Sequence, residues 1–486
     1  MELLKAGRNA EAQAIIDPFV AKRPKDPHAV RTKGLLEMRS GRYSAAETWF
    51  DKASRLDPRN PVVLLDQASL HKYHGRFTEM VEACREALKR SPGHHGAEAM
   101  LARALESSGD LEGAYEHIRA VGARRALDPD SGECLIAVLD LLGRHDEALD
   151  AAEGFLKASG APPVLRRRVL LRRGRMLEKR GELDAALASF EQGQAEVPAA
   201  FDPDAYERRL ESVAESMPVI DPLQEGEEGS RASRMPVIIA GLPRSGTSLV
   251  ERIIGAHPAA VGIGESGVVQ EVIREFDGEV GEDKALGPLK VAPEVADAMR
   301  QAFLVRVREL AGSADRVVSK HLQNWVFLGN ISFWFPGAAI IRLERDPAAN
   351  AISILGQDLP PDRMGWATRL DWIGRLMRLE RQFIEALRPK LPNPWLDLRY
   401  EELVADPATW IPRIVEVTGL PWDEACLEPH RAEGGADRKK AGRGRRFQPT
   451  LSLHQVRRPI STDAAARASK WDGRLDAFQV AFEKKA

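Results

Sequence analysis

Cysteine is nearly absent from the 486-residue chain. Its three copies, Cys84, Cys134 and Cys426, lie too far apart for a disulfide framework or a zinc cluster. No uninterrupted apolar run reaches about 18 residues, so no segment is expected to span a membrane. The opening Met1-Glu2-Leu3-Leu4-Lys5-Ala6-Gly7-Arg8 lacks the apolar stretch of a secretory signal, which leaves a soluble, cytoplasmic chain as the expectation. Neither sign of charge is in excess: 70 basic and 72 acidic residues leave a formal net charge of −2, which argues against nucleic acid as an obligate partner. Aromatic residues make up only 6%, and of nine tryptophans only Trp49 precedes residue 215. What is present, 43% hydrophobic and 29% charged residues, is enough to bury a core and excludes a largely disordered chain. At roughly 100–200 residues per domain, the length implies two or three domains.

The first half repeats itself. Gly7-Arg8, Gly41-Arg42, Gly75-Arg76, Gly109-Asp110 and Gly143-Arg144 recur every 34 residues, and the step stretches to 38 at Gly181-Glu182. Five residues after each glycine stand Ala12, Ala46, Met80, Ala114, Ala148 and Ala186. Seven residues before it stand Gly34, Ala68, Ala102 and Gly174, with Ile136 the exception. Pro24, Pro58, Pro92 and Pro198 close four of the units. Small residues at a helix crossing and proline at the exit, at this period, resemble the tetratricopeptide repeat. The resemblance implies an α-superhelix over residues 1–215 that recruits a protein or peptide, or serves as a spacer or dimerisation surface. Arg166, Arg167, Arg168, Arg172, Arg173 and Arg175 crowd the last unit. Such a run on a helix is first a solvated face; its sharper reading is a cationic surface for an acidic peptide. A stretch with Pro222, Gly226, Glu227, Glu228, Gly229 and Ser230 and no periodicity marks residues 216–235 as a linker.

Beyond it, Pro236–Ala240 is apolar enough for a buried parallel strand. The chain then breaks into Gly241-Leu242-Pro243-Arg244-Ser245-Gly246-Thr247-Ser248 before a stretch with helical spacing. Strand, glycine loop and helix start form an anion site from backbone N–H groups. The spacing is that of a nucleotide phosphate loop, but Thr247 replaces the lysine that reaches the terminal phosphates, which disfavours an ATPase or kinase. Arg244 brings a cation from another direction. A second apolar run, Ala338 to Leu343, ends in Glu344-Arg345-Asp346-Pro347, with Ser353 eight residues after Arg345.

Pro243 to Leu249 resembles the 5′-phosphosulfate loop of sulfotransferases, which take a sulfuryl group from 3′-phosphoadenosine 5′-phosphosulfate (PAPS). The resemblance covers about residues 236–475 and implies an α/β domain with a parallel sheet, running here from 236 to 486. It makes Arg244, Ser245, Gly246, Thr247 and Ser248 donor-loop residues, and Arg345 and Ser353 the ligands of the donor's 3′-phosphate, where guanidinium and hydroxyl suit a phosphomonoester. Other segments resemble the tyrosylprotein sulfotransferase branch, including bacterial forms fused to tetratricopeptide repeats. Gly264-Glu265-Ser266 stands where that branch carries a general base, and Ser319-Lys320-His321 where it carries a catalytic lysine. The segment from Ser452 to Pro459, followed by Ser469-Lys470-Trp471, matches a paired donor signature, giving Ser452 and Lys470. Leu398 to Leu403 matches a strand end whose tyrosine borders the donor, giving Tyr400.

On that resemblance Glu265 takes the acceptor's proton, while Lys320, assisted by Ser452, stabilises the bridging oxygen. No metal is implied, because cationic side chains can neutralise the leaving phosphate. Tyrosine in a protein or peptide is the leading acceptor, since a phenol with a pKa near 10 asks less of a carboxylate than an aliphatic alcohol does. The alternatives are a carbohydrate or small-molecule acceptor, or a repeat scaffold with an inactive transferase domain. His321 is the second choice of base, and His257 is expected to close the loop helix. Trp325, Phe327, Trp334 and Phe335 are expected in the core. The basic, glycine-rich stretch 431–449 is expected to be a loop, either a lid over the anionic donor or an insertion. Oligomeric state leaves no signal in the sequence.

Overall fold

The computed structural model describes residues 9–40, 42–73, 75–220, 232–276, 293–430, 460, 470–471 and 473–484. The chain forms two compact units, Met1–Glu182 and Leu183–Ala486.

The first unit is a run of paired helices: α1 Asn9–Lys22, α2 Pro27–Arg39, α3 Tyr43–Leu56, α4 Pro61–Tyr73, α5 Phe77–Arg90, α6 His95–Ser108, α7 Leu111–Arg124, α8 Pro129–Leu141, α9 His145–Lys157 and α10 Pro163–Arg180. Gly75, Gly109 and Gly143 sit in the turns between partners. The small residues seven positions earlier lie where helices cross: a methyl on Gly34 would stand 2.6 Å from the Phe50 ring, and Ala68 and Ala102 are buried. Ion pairs run within and between repeats: Glu98 takes both Arg124 and Arg125 inside one unit, while Arg103 reaches Glu133 and Arg172 reaches Asp140 at 3.0 Å across neighbouring units. The arginine run on α10 is therefore not a uniform solvated face. Arg167 is 2% exposed, Arg172 is paired, and Arg166 donates to the Leu156 carbonyl.

Asp-Pro dipeptides start helices throughout. Asp26, Asp128, Asp202, Asp346 and Asp406 each accept a backbone N–H from the first turn, with proline entering the helix behind them. The carboxylate fills an orphan donor and proline costs nothing where no N–H is needed; each such cap is worth about 1 kcal/mol.

The second unit begins with α11 Leu183–Ala195 and α12 Pro203–Ser216. The sequence counts these helices in the repeat array up to residue 215, while by contact they pack with the second compact unit, which starts at Leu183. The reason is contact. The buried Gln194 amide donates to the carbonyls of Leu355 and Gln357, Glu207 pairs with Arg375 and Arg378, and Lys390 donates to the carbonyls of Ala214 and Met217.

The remaining elements are β1 Pro236–Ala240, α13 Thr247–Ala256, β2 Ala260–Gly264, α14 Val268–Phe276, α15 Pro293–Ala311, β3 Arg316–Ser319, α16 Leu328–Trp334, β4 Ala339–Glu344, α17 Pro347–Leu355, α18 Leu370–Leu387, β5 Trp395–Arg399, α19 Tyr400–Ala405, α20 Pro407–Val417 and α21 Asp476–Glu483. Among the described residues the five strands form one parallel sheet in the order β2-β3-β1-β4-β5. β1 is central and its five residues are buried, as a strand covered on both faces must be. Val237, Ile239, Val318, Ile341 and Leu398 share one core cluster with Val250 and Ile253 of α13. Trp325, Phe327, Trp334 and Phe335 are buried, as expected of them.

Candidate active site

The strand order reverses at β1, with β3 on one side and β4 on the other. Ligands of open α/β sheets bind at the carboxyl ends of the strands at such a point. The candidate residues cluster there because each follows a strand: the glycine loop after β1, Glu265 after β2, Lys320 after β3, Arg345 after β4 and Tyr400 after β5.

The loop is built for close backbone approach. A methyl on Gly241 would lie 2.7 Å from the Leu343 carbonyl oxygen, and one on Gly246, at φ +107°, would lie 2.5 Å from the Tyr400 ring. Among the described residues Arg244 is the one non-glycine with positive φ, at 69°, a strained conformation that occurs at binding sites. Its Nε donates to Ser353 Oγ at 3.3 Å and its carbonyl accepts from Arg345 Nη1 at 2.9 Å. Arg345 in turn lies over the Tyr400 ring, 5.0 Å from its centroid. Arg244, Gly246, Arg345, Ser353 and Tyr400, spread over some 150 residues of chain, thus form one continuous group. Asp346 caps α17, so the Asp-Pro of the Arg-Asp-Pro tripeptide is a helix start like several others here, and Arg345 is its distinctive member.

Thr247 and Ser248 open α13 and are buried. Ser245 donates its hydroxyl to the Leu242 carbonyl at 2.7 Å, closing the loop's own turn. Lys470 is exposed beside the buried Trp471, and none of the contacts described above involves it. Ser452 and the stretch 431–449 lie outside the described residues.

The second constellation is a carboxylate–ammonium pair. Lys320 Nζ donates to Glu265 Oε1 at 2.7 Å; the lysine side chain is fully buried, whereas Glu265 is 39% exposed. The family resemblance named both residues, and the fold brings them into contact across 55 positions. The lysine is aimed by a residue that sequence reading missed. Asn324, buried, donates its amide to the Ile239 and Ser319 carbonyls and so ties the ends of β1 and β3 together just where Lys320 leaves the sheet. A lone asparagine before an aromatic run carries no signal of that.

His321 lies beside the pair. Its Nδ1 accepts from the Gln323 backbone N–H at 3.2 Å and faces Gln270 Nε2 at 3.0 Å, and burial depresses its pKa to about 4. The ring is therefore neutral near pH 7, with Nδ1 occupied as an acceptor. His257 receives the end of α13, with Nε2 at 3.0 Å from the Pro421 carbonyl and Nδ1 accepting from the Ala259 N–H.

Residues 236–424 match the sulfotransferase family model, and residues 1–61, 65–129 and 142–201 match a tetratricopeptide repeat model. An uncharacterized protein of Aquifex aeolicus (strain VF5) is 26% identical over 420 residues, which is 84% of this chain and 53% of that protein. Protein-tyrosine sulfotransferase 1 of Danio rerio is 28% identical over 250 residues, 50% of this chain and 67% of that protein. The chain thus spans about half to two thirds of these relatives' own length. Among solved structures, the sulfotransferase domain of the Synechococcus PCC 7002 olefin synthase aligns with 52% of this chain and 95% of its own, at 21% identity and a TM-score of 0.33, a likeness too slight to carry an argument.

Proposed function

We propose, from the match of residues 236–424 to the sulfotransferase family model and of the preceding residues to tetratricopeptide repeats, that this chain transfers a sulfuryl group from PAPS to an acceptor hydroxyl, with tyrosine of a protein or peptide as the acceptor. The observation that carries this reading is the convergence of Arg244, Gly246, Arg345, Ser353 and Tyr400 at the carboxyl ends of β1, β4 and β5, next to strands that deliver a carboxylate and an ammonium in contact.

The residues fit such a donor. Gly241 and Gly246 let the loop backbone pack closely against Leu343 and the Tyr400 ring, and the loop offers backbone N–H groups at the start of α13 to an anion. The Arg345 guanidinium and the Ser353 hydroxyl suit a phosphate ester. The bound donor supplies an activated sulfuryl group on a phosphate leaving group. The protein's tasks are alignment and charge neutralisation. Glu265, partly exposed, is placed to receive the acceptor's proton as the new oxygen–sulfur bond forms. Lys320 holds its ammonium at that carboxylate and offsets charge on the departing phosphate oxygen. Arg244 and Lys320 together stand in for the missing loop lysine. The repeats recruit the acceptor protein or another partner.

Incubation of the purified chain with labelled PAPS and a lysate, followed by mass analysis of the labelled species, tests the acceptor. Label on protein tyrosine is expected; label only on glycans or metabolites would overturn the tyrosine assignment.

A further inference from the structure

Glu251 lies on α13, one turn beyond Thr247, and at first sight is an ordinary polar helix position. It is partly buried and faces the sheet. Its Oε1 accepts the backbone N–H of Gly264 at 2.7 Å, and the same atom would lie 2.7 Å from a methyl on Gly262. The register between β2 and β3 shifts between Gly262 and Gly264, and Gly264 has φ +66°. Both glycines are thus accounted for. Gly262 leaves room for the carboxylate, and Gly264 takes the left-handed conformation that the irregularity needs.

The consequence falls on the next residue. The Gly264 N–H is held by Glu251 and its carbonyl by the Lys320 N–H at 3.1 Å, so both peptides flanking Gly264, the residue before Glu265, are fixed. Glu265 then reaches back to Lys320 Nζ. Burial raises the Glu251 pKa and the nearby Lys320 charge opposes that rise, which places the carboxylate within the field of the same ammonium. We propose that Glu251 is a positioning residue: by accepting the Gly264 N–H it locks the β2 irregularity, aims Glu265 at Lys320, and couples the phosphate-loop helix to the proton-accepting group. Its assigned task is to hold Gly264, not to bind donor or acceptor. The role in turnover rests on the sulfuryl-transfer reading above; the role in holding Gly264 does not.

The test uses the full chain with Glu251→Gln, whose amide oxygen can still accept the Gly264 N–H, and Glu251→Ala, which cannot. With ¹⁵N-glycine labelling and no donor present, amide exchange at Gly264 is expected to accelerate at least tenfold in Glu251→Ala and to stay within about threefold of wild type in Glu251→Gln. In PAPS turnover, Glu251→Ala is expected to lower kcat about 10–100-fold, the effect of losing a hydrogen bond to a charged group, with the donor KM unchanged, while Glu251→Gln restores most of kcat. Unchanged Gly264 exchange in Glu251→Ala would overturn the proposal even if the wild-type chain proved to transfer no sulfuryl group. So would Glu251→Gln as impaired as Glu251→Ala, or a loss in Glu251→Ala that falls on donor KM and not on kcat. If exchange behaves as expected and wild type shows no PAPS turnover, the functional reading fails and the structural assignment of Glu251 stands.

Discussion

A single methyl group at Gly246 should disable donor binding. Gly246 has φ +107°, beyond the region that L-residues tolerate, and a Cβ there would lie 2.5 and 3.1 Å from two atoms of the Tyr400 ring and 3.4 Å from Leu343. The backbone term alone is about 1–2 kcal/mol. The ring must also move by roughly 1 Å to restore van der Waals separation, and a comparable cost for that displacement brings the total to about 3 kcal/mol. Tyr400 does not move alone, since Arg345 lies on its ring and holds the Arg244 carbonyl. The strain therefore reaches both cations of the site. If it is relieved when the loop abandons its bound shape, donor affinity falls about a hundredfold, at tenfold per 1.4 kcal/mol. Gly255→Ala is the control: on the same helix, its methyl would meet the Gly262 backbone nitrogen at 3.8 Å, ordinary van der Waals contact, and should be neutral or slightly stabilising. Calorimetric titration with PAPS or its desulfated product, alongside thermal melts of both variants, reads the difference. Donor affinity of Gly246→Ala within threefold of wild type would refute the reasoning.

Two further outcomes follow from the same geometry. Lys320→Met keeps the volume of a fully buried side chain but leaves Glu265 without its ammonium, and should lower single-turnover transfer about 10²–10³-fold while changing donor affinity little; a loss in donor affinity alone would move Lys320 out of the chemistry. His321, with its pKa depressed to about 4, should stay neutral in an NMR titration down to about pH 5. The unfolded chain binds that proton near pH 6.5 and the folded chain does not, so the contribution of His321 to stability is fully present above pH 6.5 and declines as pH falls toward 4. Replacement by Gln should flatten that slope, and a His321 resonance titrating near its ordinary pKa would contradict the buried, neutral ring.

Much of this site is legible in the sequence because its signals are local. A buried strand running into a glycine loop announces an anion cradle, and Arg345 and Ser353, after a second such strand, gain meaning through the resemblance to sulfotransferases. The repeat is legible for the same reason, since its glycines and small residues answer to crossings inside each helix pair. What escaped depends on contacts distant in sequence. Asn324 and Glu251 have the composition of ordinary loop and helix positions, and only the parallel pairing of β1, β2 and β3 gives their side chains carbonyls and an N–H to hold. The division at Glu182/Leu183 is hidden because α11 keeps the repeat's pattern, with Ala186 at its small position, while Gln194 bonds the carbonyls of Leu355 and Gln357. Periodicity records which face of a helix is buried, not which partner buries it.

On the proposed function, a phosphate loop without lysine serves group transfer through other cations of the site. Arg244 supplies charge from within the loop at the expense of a left-handed backbone, and Arg345 steadies that backbone by donating to its carbonyl. Lys320 enters from the opposite side of β1, paired to Glu265, the proposed proton acceptor. The measurement closest to this claim is the initial rate of PAPS-dependent transfer to a tyrosine-containing peptide by the purified full chain, wild type beside Glu265→Gln, with the modified atom located by fragmentation mass spectrometry. Sulfation of the tyrosine oxygen, slowed about 10²–10⁴-fold in Glu265→Gln, is the predicted result. Transfer at an undiminished rate in Glu265→Gln, or no PAPS-dependent transfer by wild type, would contradict it.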